Sequence, residues 1–104
     1  MFTASDFKAE IEKRATAYLS RDKSGIRKAV LEFLLKLQSV TVQQVYSFLV
    51  QKFNVTLKSV ASMLGIIAAK LGLLSVRRER DGDLGVYELK PQYVALVTRL
   101  VTTN

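Results

Sequence analysis

Residues 41–89 read TVQQVYSFLVQKFNVTLKSVASMLGIIAAKLGLLSVRRERDGDLGVYEL, and within them a helical period gives way to an alternating one. Thr41 opens a helix, with Gln44 three residues later completing a Thr-x-x-Gln capping box. Val42, Val45, Tyr46, Leu49 and Phe53 line its inner face, while Gln44, Ser47 and Gln51 point outward. Asn54 and Val55 make a tight turn. Thr56 caps the next helix, predicted over residues 56–71, where Gly72 supplies a stop. Its spacing puts Leu57, Val60, Ala61, Leu64, Ile67, Ala68 and Leu71 on one side. Lys58, Ser59, Ser62, Ile66, Ala69 and Lys70 fall on the other. Leu74 and Val76 then alternate with Ser75 and Arg77 and lead to Arg80-Asp81-Gly82-Asp83, a two-residue hairpin signal. Centring the turn there pairs Arg80 with Asp83, Arg77 with Val86, Val76 with Tyr87 and Leu74 with Leu89. The last two pairs place apolar side chains on one face, so the register is self-consistent.

Working outward, residues 5–19 carry Phe7, Ile11, Ala15 and Tyr18 at helical spacing, and Arg21, Asp22 and Lys23 form a polar break. A further helix is predicted over residues 24–37 with Ser24 as its N-cap. Ile26, Val30, Phe33 and Leu37 share one face with Leu34 at its edge, and Leu31 and Leu35 point nearly the opposite way. A helix apolar on two sides is covered on two sides, so this one is central, with the first and last helices as its natural covers. Residues 38–40 read as a short connection, about one β-bridge long. Pro91 fits the first position of a final helix bearing Tyr93, Leu96, Val97 and Leu100. With no repeat and no linker, residues 1–104 read as a single domain. It divides into an N-terminal helix extension (1–22), a core (24–90) and a C-terminal helix (91–104).

Composition narrows the function. The chain has 104 residues, 16 basic against 9 acidic, and a formal net charge of +7. That balance favours polyanions. Cysteine and histidine are both absent. Their absence excludes disulfides and thiol nucleophiles and removes the commonest general base and transition-metal ligands. Neither a phosphate-binding Gly-rich loop nor a nucleophile elbow occurs. The expectation is a protein that is not an enzyme and uses no cofactor, metal or small-molecule substrate. Residues 1–19 lack an apolar signal-peptide core. The most hydrophobic stretch, residues 60–74, is broken by Lys70 and Gly72, short of the about 20 apolar residues that span a bilayer. A cytoplasmic protein without a membrane partner is expected.

Residues 28–89 resemble the winged helix-turn-helix DNA-binding superfamily. The likeness rests on Val40-Thr41-Val42-Gln43-Gln44-Val45, on Asn54-Val55-Thr56-Leu57-Lys58-Ser59-Val60 and on Lys70-Leu71-Gly72-Leu73-Leu74. More narrowly, the whole chain resembles small archaeal winged-helix proteins of unassigned function, mainly from methanogens, in which Ser62-Met63-Leu64-Gly65 and Lys70-Leu71-Gly72 stand out. The resemblance implies a mainly α fold with a small β-hairpin, a three-helix core plus wing, and extra N- and C-terminal helices. It further implies that helix 56–71 enters the major groove of double-stranded DNA while hairpin 74–89 contacts the backbone or minor groove, as in a transcriptional regulator.

The residues support that reading in part. Arg77, Arg78 and Arg80 cluster near the hairpin tip, where they can reach phosphates. Lys58, Ser59, Ser62 and Lys70 can bond phosphates or base edges, but this helix face holds no Arg, Asn or Gln for bidentate base reading. Gln43 and Gln44 are further DNA-contact candidates at the start of the preceding helix. Arg21, Lys23, Arg27 and Lys28 form a second basic cluster. Ile66, with Met63 beside it, fits either a thymine methyl or a protein interface. The alternative function is therefore a protein–protein interaction module without sequence-specific DNA binding. DNA and RNA are not separated by sequence. The apolar faces of the terminal helices can pair in a homodimer or cap the central helix.

Overall fold

A computed structural model describes residues 4–77 and 85–103. In chain order it contains α1 (Ala4–Ser20), α2 (Ile26–Leu37), β1 (Ser39–Thr41), α3 (Val42–Leu49) and α4 (Leu57–Ala69). These are followed by β2 (Leu74–Arg77), β3 (Val86–Leu89), a single 3₁₀ turn (Pro91–Tyr93) and α5 (Val94–Thr103). Among the described residues the chain is thus a mainly α domain of five α-helices with one small antiparallel sheet.

The two-sided apolar pattern of α2 makes it the centre. Val30, Leu31 and Leu34 are fully buried, and α2 touches α1, α3, α5, β1 and β3. On one flank Phe33 stacks on Phe48 of α3 at 4.4 Å between ring centroids. Elsewhere α5 lays Leu96, Val97, Leu100 and Val101 into the core, all of them buried, and it packs on α2. Ala15, Tyr18 and Leu19 of α1 are buried too. Arg99 of α5 pairs with Glu12 of α1.

The start of α2 departs from expectation. Ser24 is not the cap. The N-cap is Gly25, at φ 87°, and it carries no side-chain acceptor. Asp22 reaches forward instead: its carboxylate accepts from the backbone N–H of Gly25 and Arg27 at 3.2 Å and of Lys28 at 3.1 Å. A carboxylate there meets both the orphan donors and the positive end of the helix dipole. It offsets the basic side chains around it.

α3 and α4 start as the threonines predict. Thr41 and Gln44 form a reciprocal box, with the Thr41 N–H donating to Gln44 Oε1 at 2.8 Å and the Gln44 N–H to Thr41 Oγ1 at 3.2 Å. Thr56 and Ser59 repeat it at 3.1 Å in both directions. α4 ends at Ala69, two residues before the expected end. Gly72, at φ 74°, turns the chain into β2 in a conformation that side chains disfavour.

Where a connection was expected at residues 38–40, the three-residue strand β1 runs over Ser39–Thr41. Gln38 takes φ 66°, and its carbonyl accepts from the Leu89 N–H at 2.8 Å, which brings β1 alongside β3. The sheet order is β1-β3-β2, so the hairpin has a third strand that the alternation did not announce. The β2–β3 register is the expected one, with Leu74 opposite Leu89, Val76 opposite Tyr87 and Arg77 opposite Val86. The Arg80–Asp83 pair lies outside the described residues. Leu74 and Leu89 are buried but Val76 is 49% exposed, because the hairpin leaves the body of the domain after one core pair. Leu57, expected on the inner side of α4, is 45% exposed at its first position. Pro91 opens the 3₁₀ turn, and the final α-helix begins only at Val94. No helix among the described residues is long and apolar enough to cross a membrane.

Candidate functional site

Lys58, Ser62, Ile66, Ala69 and Lys70 follow one another at helical spacing along α4, and the fold splits that stripe in two. Lys58, Ser59 and Ser62 are exposed at the N-terminal end. Ser59 is already engaged, since its hydroxyl accepts from the Thr56 N–H and donates to the Thr56 carbonyl at 2.9 Å. Gln44 is likewise occupied by its capping box, while Gln43 is exposed at the start of α3. Arg77 ends β2 and is exposed. Arg78 and Arg80 lie outside the described residues. Among the described residues, Lys58 on α4 and Arg77 on β2 are exposed cations.

The C-terminal end of the stripe faces a different neighbour. Lys70 lies about 18 Å along the helix from Lys58, at 1.5 Å per residue. There Ile66, Ala69, Lys70 and Leu71 form one wall of a cleft whose other walls come from α1 and the start of α2. The Arg14 guanidinium donates to the Lys70 carbonyl at 3.3 Å and pairs with Glu10 at 3.2 Å. Ile66 and Met63, expected on or beside the outward face, are half-buried and packed on the core, and Ile66 shares the cleft with α1.

Within the cleft, Arg27 donates to the Tyr18 carbonyl at 2.7 Å and lays its guanidinium 4.3 Å over the Tyr18 ring. The Tyr18 hydroxyl is buried with no hydrogen-bond partner among the described residues. Burial raises its pKa above the usual 10.0; the Arg27 charge opposes that rise and Asp22 adds to it. Sequence reasoning placed Arg21 and Arg27 in a basic cluster and Lys70 on the helix face, but it missed Arg14. The available signal was the run Arg14, Ala17, Tyr18 and Arg21, spaced i, i+3, i+4, i+7, which marks one face of α1. Among the described residues no group of three or more metal-ligating side chains could hold an ion.

Comparison with known proteins adds a lineage. The chain is 33% identical over 93 residues to an uncharacterized protein of Archaeoglobus fulgidus, covering 88% of this chain and 93% of that one. No solved structure matches it. Residues 15–97, from the middle of α1 into α5, match the family described as "Protein of unknown function (DUF2551)", and the chain belongs to that family.

Proposed function

We propose that this protein is a winged helix that binds double-stranded nucleic acid, most naturally DNA, with α4 as the recognition helix and the β2–β3 hairpin as the wing. The observation that carries the reading is the order of elements. Two capped helices, α3 and α4, are followed by a hairpin, and β1 completes a sheet of order β1-β3-β2; the link between the helices, residues 50–56, is longer than the tight turn expected at Asn54 and Val55 because α3 ends at Leu49. The excess of 16 basic over 9 acidic residues supports a polyanionic partner. Contact runs through the open end of the helix, Lys58 and Ser62, with Gln43 on α3, Arg77 at the end of β2, and Arg78 and Arg80, which follow it in the sequence. Lys70 lies about 18 Å along the helix from Lys58, beside α1, and contributes little to it. With a single lysine and two serines at the open end of α4, backbone contacts outweigh base reading, so the protein shows weak sequence preference. A regulator of transcription is the role that fits such a module.

The alternative is an assembly module docking through Met63 and Ile66, both of which are partly buried against the core. The homodimer drawn from the terminal helices loses its main reason, since the apolar face of α5 is buried on α2.

The test is fluorescence anisotropy of a random duplex over a series of salt concentrations. Four cations in contact (Lys58, Arg77, Arg78 and Arg80) give a slope of log K against log salt near −3.6, roughly 0.9 per phosphate neutralised. Changing the three arginines to alanine flattens it by about 2.7. Salt-independent binding, or a triple variant with the wild-type slope, overturns the proposal.

A further inference from the structure

We propose that the cleft between α1, the start of α2 and the C-terminal end of α4 binds a small organic anion with an apolar body, such as an aromatic or acyl carboxylate. This site does not rest on the nucleic-acid reading.

The argument begins with size and lining. The cleft is open to solvent and offers about 660 Å³, within the range of small-molecule pockets. Its lining divides into two chemistries. Ala17, the Tyr18 ring, Ile66, Ala69 and Leu71 offer an apolar wall, while Arg14, Arg21, Arg27 and Lys70 contribute four cations. No carboxylate lines the cleft among the described residues. Basic side chains beside an apolar wall, Arg14 among them already paired with Glu10, suit a ligand that carries both features. A bare phosphate leaves the wall unused, and a neutral apolar ligand leaves the cations unused.

Two of the cations are pre-positioned, which lowers the ordering entropy a ligand must overcome. Arg27 is held by the Tyr18 carbonyl and ring. Arg14 is held by Glu10 and by the Lys70 carbonyl. The second contact also blunts the negative end of the α4 dipole, which otherwise repels an anion. Arg21 and Lys70 are exposed and form no ion pair among the described residues, so they can close over a bound carboxylate.

The experiment is an amide NMR titration of the full chain, without nucleic acid, using 2-naphthoate, the neutral naphthalene-2-methanol and inorganic phosphate as probes. Naphthoate is expected to shift amides in residues 14–21 and 66–72. The alcohol and phosphate should each bind at least tenfold more weakly. Arg21→Ala, at an exposed position, should weaken naphthoate several-fold, and Ala17→Trp, which fills the cleft, should abolish binding while the rest of the spectrum stays folded. Equal affinity for the alcohol would show that the cations are irrelevant, and equal affinity for phosphate would show the same of the apolar wall. Either result overturns the proposal, as does Arg21→Ala binding with wild-type affinity. So does an absence of naphthoate binding at several millimolar, or shifts scattered outside the cleft.

Discussion

Asp22 offers the sharpest test of how α2 is held. Its carboxylate receives three backbone N–H groups at 3.1–3.2 Å, whereas the Ser24 hydroxyl reaches only the Ile26 N–H, at 3.4 Å. Loss of a helix cap costs about 0.5–2 kcal/mol, and bonds to a charged acceptor lie toward the upper end. Asp22 is half-buried, so its interactions are only partly screened by solvent. We therefore place Asp22→Ala at about 1.5–2 kcal/mol, Asp22→Asn at roughly half of that, and Ser24→Ala below about 0.3 kcal/mol. For a domain of this size 1 kcal/mol moves Tm by roughly 4–8 °C. Thermal melts followed by circular dichroism should thus separate Asp22→Ala from the wild type by at least about 6 °C while Ser24→Ala nearly overlays it. A Ser24→Ala loss equal to or larger than that of Asp22→Ala would refute the reasoning and restore the serine as the cap.

Other perturbations follow from the same geometry. Leu34→Ala, at a fully buried position on the central helix, should lose about 3 kcal/mol in urea unfolding, with its midpoint lowered at unchanged m. Gly72→Ala should lose about 1 kcal/mol through its φ of 74° rather than through crowding, because the added Cβ only touches Ile11 at 3.8 Å; chemical denaturation measures it. Tyr18 should appear in the alkaline limb of stability. Its folded pKa is raised above 10.0, chiefly by burial, so the unfolded phenol loses its proton first. The stability present below that pH then falls as pH rises through the folded value. Tyr18→Phe should flatten that limb in pH-dependent denaturation and, by removing an unpartnered hydroxyl, raise neutral-pH stability by about 1 kcal/mol.

The hairpin register was readable from residues alone because alternation and the turn signal that the sequence carries at Asp81-Gly82 constrain each other. Val76 and Tyr87 could pair in one frame only. Thr41 and Thr56 announced the starts of α3 and α4 because a cap is a local event, complete within four residues. The start of α2 was not readable in that way. Asp22 acts across Gly25, and the left-handed φ of Gly25 that makes the reach possible is invisible in a pattern of polar residues. β1 was underestimated because three residues carry too little periodicity, and its existence depends on the positive φ of Gln38 and on β3. The candidate site was half readable. Periodicity put Ile66 and Lys70 on the correct side of α4, but it could not say that α1 lies over that end of the helix. What covers a helix face is a tertiary fact.

The central claim is that α4 and the hairpin together meet nucleic acid, and the direct measurement is a map of backbone amide shifts on adding a short duplex. The account predicts shifts concentrated over residues 43–44, 56–62 and 75–88, with α5 and the outer face of α1 unmoved. Shifts confined to α1 and α5, or a spectrum unchanged at saturating duplex and low salt, would contradict it.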